Sequence, residues 1–129
     1  MPSLNRVEII GRLGKDPEAR ATVKGTPFAV FSVAADRKWK SKTGEMRQET
    51  DWFTVEAWGK LGEICLKYLS KGRLVFLEGS LRTTRYEHDG EVRYFTKVIA
   101  QHMQMLDWAK EEQEPATLEI AETPAPEEE

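Results

Sequence analysis

The feature that most constrains this chain is a single change of hydrophobic period in a sequence that otherwise alternates like β-strands. Within KLGEICLKYLSKGR the apolar residues recur at i, i+3, i+4, i+7 and i+8, the spacing of one helical face, at Leu61, Ile64, Cys65, Tyr68 and Leu69. Gly72 is expected to end this helix. Everywhere else in the body of the chain, short alternating runs are separated by turn residues, which indicates a small closed β fold.

Three strands are predicted before the helix and two after it. The first covers residues 6–10 and ends at Gly11, followed by a loop or short extension with Gly14, Asp16 and Pro17. Residues 27–36 and 50–58 form the next two strands, joined as a long hairpin through Gly44. Residues 73–87 and 91–100 flank Asp89-Gly90, a strong hairpin signal. This order predicts an all-β OB-fold, a five-stranded Greek-key barrel with one helix between strands 3 and 4.

The charge of the chain divides it into two parts. Residues 1–108 carry 18 Lys and Arg against 14 Asp and Glu, a net charge of +4, whereas residues 109–129 carry one Lys against eight Glu, a net charge of −7. The second part is rich in Glu, Pro, Ala and Thr and has no aromatic residue, a composition that does not support a core. We therefore expect one domain, 1–108, and a disordered acidic tail, 109–129, with Trp108 covering the end of the barrel.

Several classes of protein are disfavoured by what the sequence lacks. It has neither a signal-like apolar run nor a membrane-length one, so a cytoplasmic protein is expected. The single cysteine, Cys65, lies on the apolar helix face, and His88 and His102 are isolated, so no metal site is expected. No catalytic constellation or phosphate-binding glycine loop is present, so the sequence predicts neither enzymatic activity nor a cofactor.

Three of the four tryptophans lie in the most polar part of the body, between Asp36 and Lys60. Side chains alternate across a strand, so DWFTVEAW divides into two faces. Phe53, Val55 and Ala57 form a core face, and the opposite face consists of Trp52, Thr54, Glu56 and Trp58. This parity predicts that Trp52 and Trp58 lie at the surface.

The second hairpin repeats this chemistry. With Asp89 and Gly90 as the two turn residues, Tyr86 lies opposite Arg93, and the shared face consists of Arg82, Thr84, Tyr86, Arg93, Phe95 and Lys97. Leu81 and Val98 are expected to point to the core. Both hairpins thus present rings among cations, as in proteins that stack unpaired bases and neutralise phosphates without reading sequence. A rim or oligomer-interface role for individual rings, Phe95 in particular, stays open at this point.

The chain resembles the bacterial single-stranded-DNA-binding protein family over about residues 4–106. The matching motifs, in order, are NRVEIIGRLGKDPEAR, TGEM followed by WF, WGKLGEICLKYLSKGRLVFLEGSLRTTRY and MQML. The resemblance implies stacking by Trp39, Trp52, Trp58 and Tyr86, and basic contacts from Lys42, Lys60 and Arg85. Arg82, on the shared face of the second hairpin, is a further predicted DNA contact.

The resemblance also implies partners: single-stranded DNA, three further copies in a homotetramer, and replication, recombination and repair proteins in the nucleoid. The chain ends in TPAPEEE and so lacks the Pro-Phe tip with which many members dock other proteins, which puts that docking in doubt. The alternative is an OB-fold interaction module of the primosome type that binds protein partners or RNA.

Overall fold

The computed structural model describes residues 1–107 as six strands and one helix. Their bounds are β1 Val7–Leu13, β2 Glu18–Ala21, β3 Pro27–Lys40, β4 Met46–Trp58, α1 Gly59–Tyr68, β5 Leu74–His88 and β6 Glu91–Met105. The predictions for Trp108 and for the tail, 109–129, lie outside the described residues.

The strands form one sheet that closes on itself. Its order is β1-β5-β6-β4-β3-β2, and β1 also pairs with β3. β1 contacts β5 along residues 7–12 and reaches β3 through the pairs Arg12↔Ala34 and Leu13↔Val33. The β4–β6 pairing is parallel, whereas all the others are antiparallel. Five strands therefore build a closed barrel with the helix between the third and fourth of them, which confirms the predicted fold.

The core fills the barrel from the inward faces of its strands. Val33, Val55, Val75, Leu77 and Met103 are completely buried there. Leu61, Ile64 and Cys65 of α1 join this core, together with Leu69 just after the helix. The helical stripe predicted from the sequence is thus the face that covers the open end of the core, because helical spacing gathers these side chains on one side. Burial raises the pKa of the Cys65 thiol to about 12, which leaves it protonated and unreactive.

Several predicted boundaries were wrong. β1 continues through Gly11 because a side chain there would meet the carbonyl oxygen of Ala34, so this glycine permits the close approach of β3 and does not end the strand. The helix ends at Tyr68, since Leu69 is already extended, and Gly72 lies in the following turn with a φ of 88°. β3, β4 and β6 each extend several residues beyond the prediction, and the expected extension after β1 contains the short strand β2.

The two hairpins leave the barrel as arms. The β3–β4 arm runs to the pair Lys40↔Met46, and Gly44 in its turn has a φ of 91°. The β5–β6 arm runs to His88↔Glu91, and Asp89 and Gly90 both have positive φ, as the predicted two-residue turn requires. Leu81 is exposed and not in the core, contrary to the prediction, because β5 passes out of the barrel before this residue.

Candidate nucleic-acid interface

The outward face of β3 and β4 presents the first group of candidate side chains. Register pairs Trp52 with Ala34 and Trp58 with Phe28, and alternation places all four on the side of the sheet away from the core. Trp52 is 60% exposed. The predicted parity of this strand is therefore confirmed for both tryptophans.

The Trp52 ring packs against Gly14. A Cβ built at Gly14 would lie 2.5 Å from Cζ3 of the Trp52 ring, so the ring occupies the space that any side chain at this position would need. The backbone N–H of Gly14 donates to the carbonyl of Ser32 over 3.1 Å. Asp16 accepts a hydrogen bond from the Lys71 backbone N–H, which ties the same loop to the turn after α1. Trp52 thus has a fixed support along one edge while most of its surface faces solvent.

Trp58 is held more firmly than the sequence indicates. Its ring stacks on Phe28 with centroids 4.1 Å apart and planes at 16°. Its Nε1–H donates to Oε1 of Glu56 over 3.2 Å. The side chain is half-buried, in contrast to the fully surface position that strand parity predicts, because β3 supplies a second aromatic ring directly beside it.

The outer face of the β5–β6 arm adjoins this surface. The observed pairs Arg82↔Lys97, Thr84↔Phe95 and Tyr86↔Arg93 confirm the predicted register. Tyr86 and Phe95 are exposed on this face. Lys97 reaches from it to β4, where its Nζ lies 2.8 Å from Oε2 of Glu56. We call the combined face the outer surface; it consists of Phe28, Trp52, Glu56, Trp58, Arg82, Thr84, Tyr86, Arg93, Phe95 and Lys97.

Two predicted site residues lie on the reverse faces of the arms. Trp39 pairs with Arg47, five register positions beyond the pair of Ala34 with Trp52, and so lies on the opposite side of the ribbon from Trp52. The guanidinium of Arg37 lies 5.4 Å from the centroid of the Trp39 ring. Arg85 pairs with Tyr94 and lies on the side of its arm opposite Arg82 and Tyr86. The structure therefore does not bring these two residues onto the outer surface.

The cations of the arms differ in whether they already have acidic partners. Arg37 contacts both Glu49 and Asp51, and the hydrogen bond and charge of Asp51 raise the pKa of its guanidinium. Within residues 1–107, Arg82 and Arg85 form no salt bridge with a carboxylate. Unpaired guanidinium groups remain available for phosphate, since no intramolecular partner must first be displaced.

Two lysines that the sequence analysis did not select are also unpaired on the β3–β4 arm within residues 1–107. Lys38 and Lys40 are exposed, share the ribbon face of Trp52, and likewise form no ion pair in the part of the chain that the structure describes. Extending the alternation of β3 past residue 36 would have found them. The predicted contacts Lys42 and Lys60 are both exposed, in the turn of the β3–β4 arm and in the first turn of α1.

The closed barrel and its surface of rings and cations place the chain among OB-fold domains whose exposed sheet suits unpaired nucleic acid. The model of the Single-strand binding protein family matches residues 4–106, and the chain belongs to this family. The resemblance in sequence is thereby confirmed. Members of the family bind DNA and are not enzymes, which confirms the prediction of a non-catalytic protein.

Relatives and solved structures agree with this assignment. Single-stranded DNA-binding protein 1 of Chlorobaculum tepidum is 41% identical over 105 residues, covering 80% of this chain and 65% of the relative. The Xylella fastidiosa protein of the same name is 42% identical, covering 82% and 79%. Among structures, a Plasmodium falciparum SSB complex with ssDNA has a TM-score of 0.76 at 30% identity, covering 83% of this chain and 98% of the other. The chain thus spans slightly less than two thirds of the Chlorobaculum relative's length.

The remaining classes of site find no support in the described residues. Residues 1–107 contain no group of three or more His, Cys, Asp or Glu side chains placed to hold a metal ion. In the same range, no helix is long and apolar enough to cross a membrane.

Proposed function

We propose that this protein binds single-stranded DNA without sequence specificity along the outer surface. The observation that carries this proposal is the continuity of that surface: two hairpins, joined by the Glu56–Lys97 ion pair, present rings and unpaired cations on one side of the barrel. Both relatives are named as single-stranded DNA-binding proteins, and the Plasmodium structure is a complex with ssDNA, which supports the same ligand for this chain.

In this proposal the rings and the cations have separate tasks. Trp52, Trp58 and Tyr86 stack unpaired bases, each contributing roughly 1 to 3 kcal/mol. Bases in a duplex already stack on each other, so exposed rings select single strands. The phosphates are contacted by cations on and beside the surface, at Lys38, Lys40, Lys42, Lys60 and Arg82. Trp39 and Arg85, on the reverse faces of the arms, make only secondary contacts with the strand where it passes the edge of an arm.

The biological role that follows is protection of exposed DNA during replication, recombination and repair, in the cytoplasm and at the nucleoid. The domain responsible is residues 1–108, followed by the acidic tail, 109–129. We propose a homotetramer, supported by the outward face of β1 and β5, where Ile10 is 57% exposed and lies opposite Phe76.

The test is a titration of the full chain with oligo-dT while intrinsic tryptophan fluorescence is followed at several salt concentrations. Stacking should quench fluorescence saturably, and the logarithm of affinity should fall with the logarithm of salt by about 0.7 per neutralised phosphate. A duplex of equal length and an oligo-U of equal length serve as controls. Absence of quenching by oligo-dT from a folded protein would contradict the proposal and favour the protein-interaction module, whereas stronger binding of oligo-U would favour RNA.

A further inference from the structure

One carboxylate within the proposed DNA-binding surface is buried. Glu56 is only 8% exposed, on the outward face of β4 between the positions of Thr54 and Trp58. Its register neighbours are Val30 on β3 and Ile99 on β6, both of them apolar. A buried carboxylate among apolar groups is costly unless its charge and lone pairs are matched. In a surface that must attract phosphate, it also needs an explanation.

Both oxygens of this carboxylate have defined partners. Oε1 accepts the hydrogen bond of the Trp58 indole N–H, and Oε2 accepts the one from Lys97. The side chains of Lys97 and Glu56 are 19% and 11% exposed, so this pair is shielded from water far more than the other cation pairs of the arms. Lys97 is the group whose charge compensates Glu56, while the second oxygen is directed at the ring.

One face of the same indole is covered by the stacked ring of Phe28. A ring held by a stack at 4.1 Å and by a hydrogen bond at its nitrogen has its plane and its rotation both fixed. Trp52, by comparison, forms no side-chain hydrogen bond among the described residues. Fixing a ring in advance reduces the ordering cost that binding would otherwise include.

We propose that Glu56 and Lys97 are positioning residues for Trp58, and that Lys97 is neutralised by Glu56 and therefore does not contact phosphate. The pair acts through the ring: it holds the indole in the orientation in which a base stacks on it. This inference rests on the proposed function for its effect on DNA, while its effect on the ring is testable without any ligand.

The main variant is the double substitution Glu56→Leu with Lys97→Met, which removes the pair, keeps the net charge and replaces both groups by apolar ones. Such replacements of buried pairs are often neutral or stabilising, so the fold should survive, as a thermal melt will show. In the free protein, the Trp58 indole N–H should shift in a proton–nitrogen correlation spectrum and exchange faster with solvent. Trp58→Phe assigns the signal.

Oligo-dT binding by the double variant distinguishes an effect on the position of the Trp58 ring from an effect on the charge of the surface. Affinity for oligo-dT should fall about threefold to tenfold, as for the loss of one hydrogen bond that orients a ring. The slope of log affinity against log salt should stay unchanged, because the neutral pair releases no counterion. The matched control is Arg82→Met, on the strand position directly opposite Lys97, which should reduce the slope by about 0.7 per protomer.

A single substitution at Glu56 tests whether this carboxylate neutralises Lys97, because it should expose the lysine charge to phosphate. Glu56→Gln retains an oxygen for the indole and leaves Lys97 uncompensated, so the slope should become steeper by about 0.7 per protomer. A reduced slope in the double variant, or an unchanged slope in Glu56→Gln, would overturn the neutralisation. An unmoved Trp58 signal in the double variant would overturn the positioning role. Failure of the wild type to bind oligo-dT would contradict the proposed function and leave the ring measurement valid.

Discussion

The outer and reverse faces of the β3–β4 arm contain the same kinds of residue, and they differ in what those residues already contact. On the outer face, Trp52 is supported only along one edge, and Lys38, four register positions further along the arm, has no acidic partner within residues 1–107. On the reverse face, Arg37 is paired with Glu49 and Asp51 and also lies against the Trp39 ring. Aromatic and basic content alone therefore does not define a binding face; on the β3–β4 arm, the availability of those groups distinguishes the two faces.

The two faces of the β5–β6 arm differ in position and not in pairing, because neither Arg82 nor Arg85 has a salt bridge within residues 1–107. Arg82 and Tyr86 lie on the side that continues onto the outward face of β4, whereas Arg85 and Tyr94 lie on the side that leads to Val98 and Val55 in the barrel core. Tyr94 is 66% exposed, more than Tyr86, and is nevertheless the poorer candidate because its face leads into the barrel core and not onto the outer surface. The two arms together supply pairs of like residues on opposite faces, which serve as matched tests.

The largest difference in oligo-dT affinity is expected between the alanine variants of two tryptophans. Trp52→Ala should weaken oligo-dT binding by about 1 to 3 kcal/mol, because an exposed stacking ring is lost. Trp39→Ala should cost less than about 1 kcal/mol, since that ring faces away and is already covered on one side by Arg37. Fluorescence anisotropy with a labelled oligonucleotide measures both. Equal losses would show that the strand wraps around the arm to its reverse face.

The next comparison uses two tyrosines on one arm. Tyr86→Ala should reduce affinity by about 1 kcal/mol, the lower end of the range for one stacked base, while Tyr94→Ala should leave it nearly unchanged. Isothermal titration calorimetry on both variants provides affinity and stoichiometry together. A greater loss in Tyr94→Ala would place the ligand on the reverse side of the β5–β6 arm and break the distinction between the faces.

Charge can be separated from stacking with two arginines. Arg82→Met should make the fall of log affinity with log salt concentration shallower by about 0.7 per protomer, because one phosphate contact and its released counterion are lost. Arg85→Met should alter the slope by less, since it points away from the continuous surface. The readout is binding at four or more salt concentrations. Similar slopes for the two variants would mean that both sides of the arm contact phosphate.

The smallest effect is expected at the support of Trp52. Gly14 does not have a positive φ, so Gly14→Ala introduces no backbone strain and acts through its new methyl group, which meets the Trp52 ring. A loss of binding of less than about 1 kcal/mol is expected, below the losses for Trp52→Ala and Tyr86→Ala. A double-mutant cycle with Trp52→Ala checks the cause: additive losses would show that Gly14 acts independently of that ring.

Sequence reasoning succeeded where a pattern is confined to one strand or one tight turn. Alternation within β4 placed Trp52 and Trp58 outward, and the two-residue turn at Asp89-Gly90 set the register of the whole β5–β6 arm. Both are local rules: a period of two, and a turn whose geometry admits one pairing. They fix the side of the sheet on which a residue lies without any long-range information.

Failures arose where the outcome depends on a distant partner. The stack of Phe28 on Trp58 requires the pairing of β3 with β4 at residues 30 positions apart, and the Glu56–Lys97 contact requires the barrel to close. The side on which Trp39 lies could not be followed because the predicted strands stopped before the arm began. Leu81 was assigned to the core because alternation does not reveal where a strand leaves the barrel.

The double pairing of β1 has a mechanical consequence. Residues 7–12 are bonded to β5, and residues 12 and 13 are also bonded to β3, so a pulling force applied at the N-terminus is shared between two ladders. Among the strands of residues 1–107, β2 is paired only with β3, so its ladder can be separated one bond at a time. In a single-molecule extension experiment, the β1 seam should therefore be the last part of the N-terminal half to yield, and its rupture should open the barrel.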